Sequence, residues 1–183
     1  MRHIFIYTLI VTSAITLNAQ DRFLTREGHV KFFSSALIED ITANNYEVLS
    51  IIDIKKNEVA VDIPIKAFEF RKKLMQEHFN ENYMESEKFP KATFKGVFDQ
   101  NVDLSKGTEG TYNVNARGEL MIHGVTKQIA VPVEIIVEKN AISASLIFNV
   151  EVEEFGVKIP KLMFKKIAEV VEVTAAFQYK PYN

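Results

Sequence analysis

The chain has 183 residues, with 22 Lys and Arg against 24 Asp and Glu for a formal charge of −2, and the two signs are interspersed. No basic block is available to neutralise phosphates or hold an anionic membrane surface, which argues against nucleic acid as a partner. Cysteine is absent, excluding a lipoprotein anchor and a disulfide framework, and a hydrophobic content of 47% with 14 Phe and no Trp is far from a disordered composition.

In chain order, Arg2 and His3 precede an uncharged apolar run from Ile4 to Leu17, followed by Asn18-Ala19-Gln20. This is the pattern of a secretory signal cut after Ala19, and it predicts a periplasmic or secreted protein. The run is shorter than the about 20 residues of a comfortable membrane span, so no stable insertion is expected after cleavage. Residues 1–19 are therefore read as signal peptide and 20–183 as one domain, since no Pro/Gly/Ser linker, repeat or low-complexity tract divides the remainder.

Two-residue alternation then dominates. Less regular strands are predicted around Val30 to Ser34 and Tyr46 to Ile54, and a short one carries Val59, Val61, Ile63 and Ile65. Arg71 to Phe79 breaks the alternation with helical spacing, bringing Leu74, Met75, His78 and Phe79 near one face. Phe89-Pro90 ends any helix before a strand with Phe94, Gly96 and Phe98 on one side. The next strand carries Tyr112, Val114, Ala116, Gly118, Leu120 and Ile122, and His123-Gly124 turns the chain. Ile129, Val131, Val133, Ile135 and Val137 then oppose Gln128, Pro132, Glu134 and Glu138. A tight turn at Glu138-Lys139-Asn140 leads into a strand from Ala141 to Glu153, with Ala144, Leu146 and Phe148 among its inward residues. An irregular stretch from Phe155 to Ile167 mixes apolar residues with lysines, and a last strand near Val170 to Lys180 points Ala175, Phe177 and Tyr179 inward.

About eight strands with one apolar face each require an antiparallel sheet that covers that face by closing or by stacking. Strands on the order of ten residues, against a usual five or six, favour a closed barrel over a sandwich. The fold class is therefore all-β, an eight-stranded antiparallel barrel with a short helix near one end. Small inward residues, Gly96, Ala116, Gly118, Ala144 and Ala175, are expected to bend the sheet or leave space in the lumen. The alternative is an interior that side chains simply fill, as eight strands permit.

Catalytic and metal patterns are weak. His78 with Glu77, Glu81 and Glu85 lies on a single helix, without the facing helices or the His-Glu-x-x-His spacing that a metal needs, so His78 is read as packed and bonded to backbone. His123, at a turn, is read as satisfying backbone groups there. Neither Gly-x-Ser-x-Gly nor a Cys–His pair is present, and Gly107-Thr-Glu-Gly110 has no Lys or following helix to cradle phosphate. The acidic pairs Asp99 with Asp103 and Glu153 with Glu154 read as solvated charge. No catalytic residue, metal or cofactor is expected.

The ordered set His78-Phe79, Tyr83, Phe89-Pro90, Thr93-Phe94, Gly118, Leu120, His123-Gly-Val-Thr-Lys127 and Val131-Pro-Val133 resembles the YceI-like family of bacterial exported proteins. The resemblance implies a lipocalin-like barrel that holds a long-chain lipid such as a polyisoprenoid, quinone or fatty-acid amide without catalysis. Ligand contacts are then expected from the inward Phe94, Phe98, Val131, Val133, Ile135, Leu146, Phe148 and Phe177, with Met75, Phe79, Phe155 and Met163 near the opening. Long-chain lipid is the expected partner, and a homodimer is left open. The chain departs from the family where Met75-Gln76 replaces a frequent Arg-Asp and where Glu153-Glu154 precedes Phe155-Gly156 in place of a frequent Arg. These departures favour a neutral head group over a pyrophosphate. The competing reading is a ligandless packed barrel serving as a periplasmic stress or adaptor protein through its loops. A hydrolase or isomerase acting on an enclosed lipid would need a buried polar group beside His78 or His123.

Overall fold

A computed structural model describes residues 21–35, 39–99, 108–139, 141–159 and 168–182. The signal segment, Asp103, Gly107 and Met163 lie outside them.

The elements are β1 (Arg22–Ser34), β2 (Ile41–Asp53), β3 (Glu58–Pro64), the two-residue β4 (Glu69–Phe70), α1 (Lys73–His78), β5 (Lys91–Phe98), β6 (Gly110–Ile122), β7 (Val125–Glu138), β8 (Ala141–Glu151) and β9 (Val170–Pro181). The long strands run in the order β1-β9-β8-β7-β6-β5-β3-β2, and β1 pairs with β2 to close the ring. Every pairing is antiparallel. The eight-stranded barrel with one short helix is thus the fold, with β4 a small addition on β2.

Strands form where alternation supplies a buried face. In β7, Val131, Val133, Ile135 and Val137 are buried, while Ala130, Pro132, Glu134, Ile136 and Glu138 are exposed between them. β1 is longer than the alternation suggested because its register shifts at Gly28. A Cβ on Gly28 would stand 2.6 Å from the Phe177 ring, so only glycine fits under that side chain. β8 ends earlier than expected, because Val152–Phe155 winds into a 3-10 turn whose cap is the left-handed Gly156.

The small residues do not leave the lumen space expected of them. A Cβ on Gly118 would meet the Lys95 carbonyl oxygen at 2.1 Å, and one on Gly96 the Arg117 carbonyl oxygen at 2.4 Å, so this facing pair lets β5 and β6 approach closely. Ala116, Ala144 and Ala175 belong to the buried core.

One part of that core fills the end of the barrel near the β2–β3 turn, the β7–β8 turn and the end of β9. Ile52, Phe98, Val114, Ile135, Ile142, Ala144, Phe177 and Tyr179 pack there with at most 6% exposure. Each large side chain removed from water contributes roughly 1.5–3 kcal/mol. The one buried phenol among the described residues is satisfied, since the Tyr179 hydroxyl lies 2.8 Å from Ser50 Oγ, which in turn donates to the Ala60 carbonyl at 3.1 Å. Desolvation pushes the Tyr179 pKa up, so it is an un-ionised donor. Toward the opposite end, where the β6–β7 turn and α1 lie, the interior opens.

Candidate functional site: an apolar cavity at one end of the barrel

The open end encloses a cavity of about 510 Å³. This lies within the range of about 300–1,000 Å³ usual for small-molecule sites. Its wall takes positions near that end from every long strand but β7: Val30, Phe32 and Ser34 from β1, Ile41 from β2, Ile63 from β3, Ala92 from β5, Leu120 and Ile122 from β6, Phe148 and Val150 from β8, and Val171 and Val173 from β9. Val152, Phe155, Val157 and Ile159 continue the wall beyond β8.

The roof is aromatic. Phe32, Phe68, Phe70 and Phe79 form one cluster, with ring centroids 5.0 to 5.7 Å apart in stacked, tilted and edge-on pairs. Such pairs each add about 0.5–1.5 kcal/mol beyond the area they bury. Phe79 enters this cluster from the chain above it. There α1, which buries none of its six residues, passes into a π-helical turn, Phe79–Tyr83. Met84, just beyond, is buried and completes the attachment.

Polar groups reach the cavity only near its mouth. Lys72 Nζ lies 2.6 Å from Glu39 Oε1, and Arg71 approaches the same oxygen at 3.6 Å, so the cations there face an anion. Ser34 Oγ accepts the Ala168 N–H at 2.9 Å. Tyr83 is half-buried, and desolvation raises its pKa. His78 lines the mouth but is exposed, and its side chain makes no hydrogen bond to a described residue, contrary to the packed, backbone-bonded role expected for it.

The twelve sequence candidates divide by depth. Met75, Phe79, Phe148 and Phe155 are on the cavity wall. Phe98, Val131, Val133, Ile135 and Phe177 point inward and are buried but are not on that wall, and Leu146 is half-buried against the same packed core. Phe94 sits between this core and a smaller cluster of Leu120, Val150 and Phe155. Met163 falls outside the described residues. Phe32, Phe68, Phe70 and Ala92 were not singled out. A Phe-x-Phe spacing before the helix was the available signal for two of them.

His123 also differs from its expected role. It adopts a left-handed backbone with φ 50° at the β6–β7 turn, and its Nε2 bonds the Glu85 carboxylate at 2.8 Å instead of backbone groups. Its ring meets Phe89 edge-on, with centroids 4.5 Å apart. It is not part of the cavity wall. Among the described residues, no group of three or more His, Asp or Glu is arranged to hold a metal.

A YceI-like domain profile matches residues 12–179. Among solved structures, a polyisoprenoid binding domain from Saccharophagus degradans is 15% identical, with a TM-score of 0.76, 90% of this chain covered and 100% of that one. BcnA of Burkholderia cenocepacia is 16% identical, with a TM-score of 0.65, covering 83% of this chain and 94% of its own. A Campylobacter jejuni YceI protein is 15% identical with a TM-score of 0.57, and both chains are covered fully. No curated protein sequence matches.

Proposed function

The chain belongs to the YceI-like domain family, and from that premise we propose that it is an exported, non-enzymatic binding protein that encloses the tail of a long-chain lipid. The observation that carries this reading is the cavity of about 510 Å³, walled by aliphatic and aromatic side chains at one end of a closed barrel. The S. degradans neighbour, described as a polyisoprenoid binding domain, supports the same class of ligand.

The energetics favour a tail-dominated mode. Each buried methylene is worth about 0.8 kcal/mol, so roughly ten of them supply on the order of 8 kcal/mol. That gross figure is on the micromolar scale before the cost of immobilisation, with no head-group contact needed. The cations at the mouth already face Glu39, and the Glu154 carboxylate pairs with Lys127. His78 and Tyr83 also stand at this mouth and offer hydrogen-bonding groups. An isoprenoid, quinone or fatty amide with a neutral head suits this mouth better than a pyrophosphate. The signal-like residues 1–19 agree with a periplasmic or secreted location for the carrier.

The test is denaturing extraction of protein purified without detergent from its native host, followed by lipid mass spectrometry. One dominant long-chain lipid without a phosphate head is expected. Protein repeatedly free of lipid would overturn the binding reading in favour of a ligandless adaptor, and a bound polyprenyl pyrophosphate would overturn the head-group assignment.

A further inference from the structure

The ladder between β7 and β8 stops halfway. It joins Val133–Glu138 to Ala141–Leu146 and goes no further. Yet β7 pairs with β6 back to Val125, and β8 pairs with β9 on to Glu151. Pro132, which has no N–H to give to a ladder, stands where the two strands part. From that point to the rim, the edges of β7 and β8 face one another unpaired. The outward Ala130, Ile147 and Asn149 are exposed, Ile147 to 58%.

Side chains cross the seam both at the rim and behind it. At the rim, Lys127 Nζ meets Glu154 Oε2 at 2.9 Å and lies 5.9 Å from the centroid of the Phe155 ring. Behind the seam, Ile129 packs against the cluster of Leu120, Val150 and Phe155, all three of which are also cavity wall. Only that layer of side chains separates the seam from the cavity.

We propose that this seam is a side entrance, through which a single apolar chain passes between β7 and β8 into the cavity while its polar head stays at the rim. The proposal rests on the binding reading above. Widening a laddered seam breaks backbone hydrogen bonds in series, whereas widening this one breaks a solvent-exposed ion pair and displaces Ile129 and Phe148. The ladder between β2 and β3 is also short, ending at Leu49 and Asp62. There, however, the gap is bridged: fully buried Asn45 donates Nδ2 to the Pro64 carbonyl at 2.8 Å, and Ala43 pairs with Phe70 of β4. At the roof under α1 an entering chain has to pass the four-phenylalanine cluster, whose ring contacts it would disturb. The β7–β8 seam is the route that disturbs least, and its apolar gate selects a single alkyl or isoprenyl chain.

Ala130→Cys with Asn149→Cys tests this directly, because the chain has no other cysteine. These positions would oppose one another if the β7–β8 register continued, and both point outward. They can be joined as a disulfide, or by a short disulfide-containing bismaleimide where the separation exceeds disulfide reach. The probe is all-trans-retinol, a fluorescent isoprenoid read by stopped flow without tryptophan background. Joining the strands is expected to slow both uptake and release on the order of tenfold while equilibrium affinity stays unchanged, and dithiothreitol is expected to restore the rates. Glu154→Gln, outside the cavity wall, is expected to speed exchange about two- to fivefold by releasing the rim ion pair. Unchanged rates in the joined protein overturn the side entrance and leave the cavity reading standing, as do unchanged rates in Glu154→Gln. Wild-type protein that takes up no retinol overturns both.

Discussion

Asp99 shows how a single carboxylate is tied into the barrel. Its oxygens accept the Asn115 side-chain amide at 2.9 Å and the Asn115 backbone N–H at 3.0 Å. These bonds, side chain first, hold its pKa below the usual carboxylate value, with Arg117 adding a smaller pull in the same direction. Because the folded value is the lower one, the contribution to stability is complete above the unfolded pKa of about 3.9 and is lost as pH falls through the depressed folded value. An NMR titration should find the Asp99 carboxyl ionising below an ordinary Asp, and Asn115→Ala should raise it. An unmoved titration in that variant would refute the account. Composition and spacing marked Asp99 only as solvated charge, since its partner lies 16 residues away across a strand pair. The same limit explains His123, whose partner Glu85 is 38 residues distant. Periodicity reports which face a side chain takes, and it carries no information about a hydrogen bond made across the fold.

The helical cover is weakly held. α1 has six residues, none buried, and no side-chain cap, and such a short helix is not stable on its own. Its anchorage is Phe79, so Phe79→Ala should cost about 2 kcal/mol, half the usual loss for a fully buried phenylalanine. Hydrogen exchange should be fast across 73–83 and slow across the β6–β7 ladder, with lipid loading slowing the former. Equal protection of both segments in lipid-free protein would contradict this. At this scale the sequence was informative, because the change from two-residue to helical spacing located the helix near Arg71–Phe79. Its continuation to Tyr83 as a π-helical turn was hidden, since Asn80-Glu81-Asn82 offers no apolar stripe. The extent of β1 was hidden too, because the register shift at Gly28 interrupts its alternation.

For the whole molecule, the two rival readings of the interior each describe one end. Side chains fill the barrel around Ile135, Ile142, Phe177 and Tyr179, and a cavity occupies the end lined by Phe32, Phe148 and Val173. Alternation identified the inward face throughout, yet it is blind to position along the barrel axis. Depth depends on which turn lies nearest, and inward residues close to Lys139 fall in the packed end while those close to His123 fall in the open one. Substitutions should separate the two ends. Val173→Trp, on the cavity wall, should displace co-purified lipid with little change in Tm. Ala144→Phe, in the packed end at 6% exposure, should destabilise by about 1–3 kcal/mol through overpacking. Lipid retained in the first variant, or an unchanged Tm in the second, would reverse this division of the barrel.

The packed end also makes the vessel a gauge. β6, β8 and β9 each lend two inward positions to the cavity wall, Leu120 and Ile122, Phe148 and Val150, and Val171 and Val173, on the order of 10 Å of strand. A guest with a short tail can stand upright in that depth, whereas a longer one must coil or leave its surplus trailing outside, available to whatever next receives it.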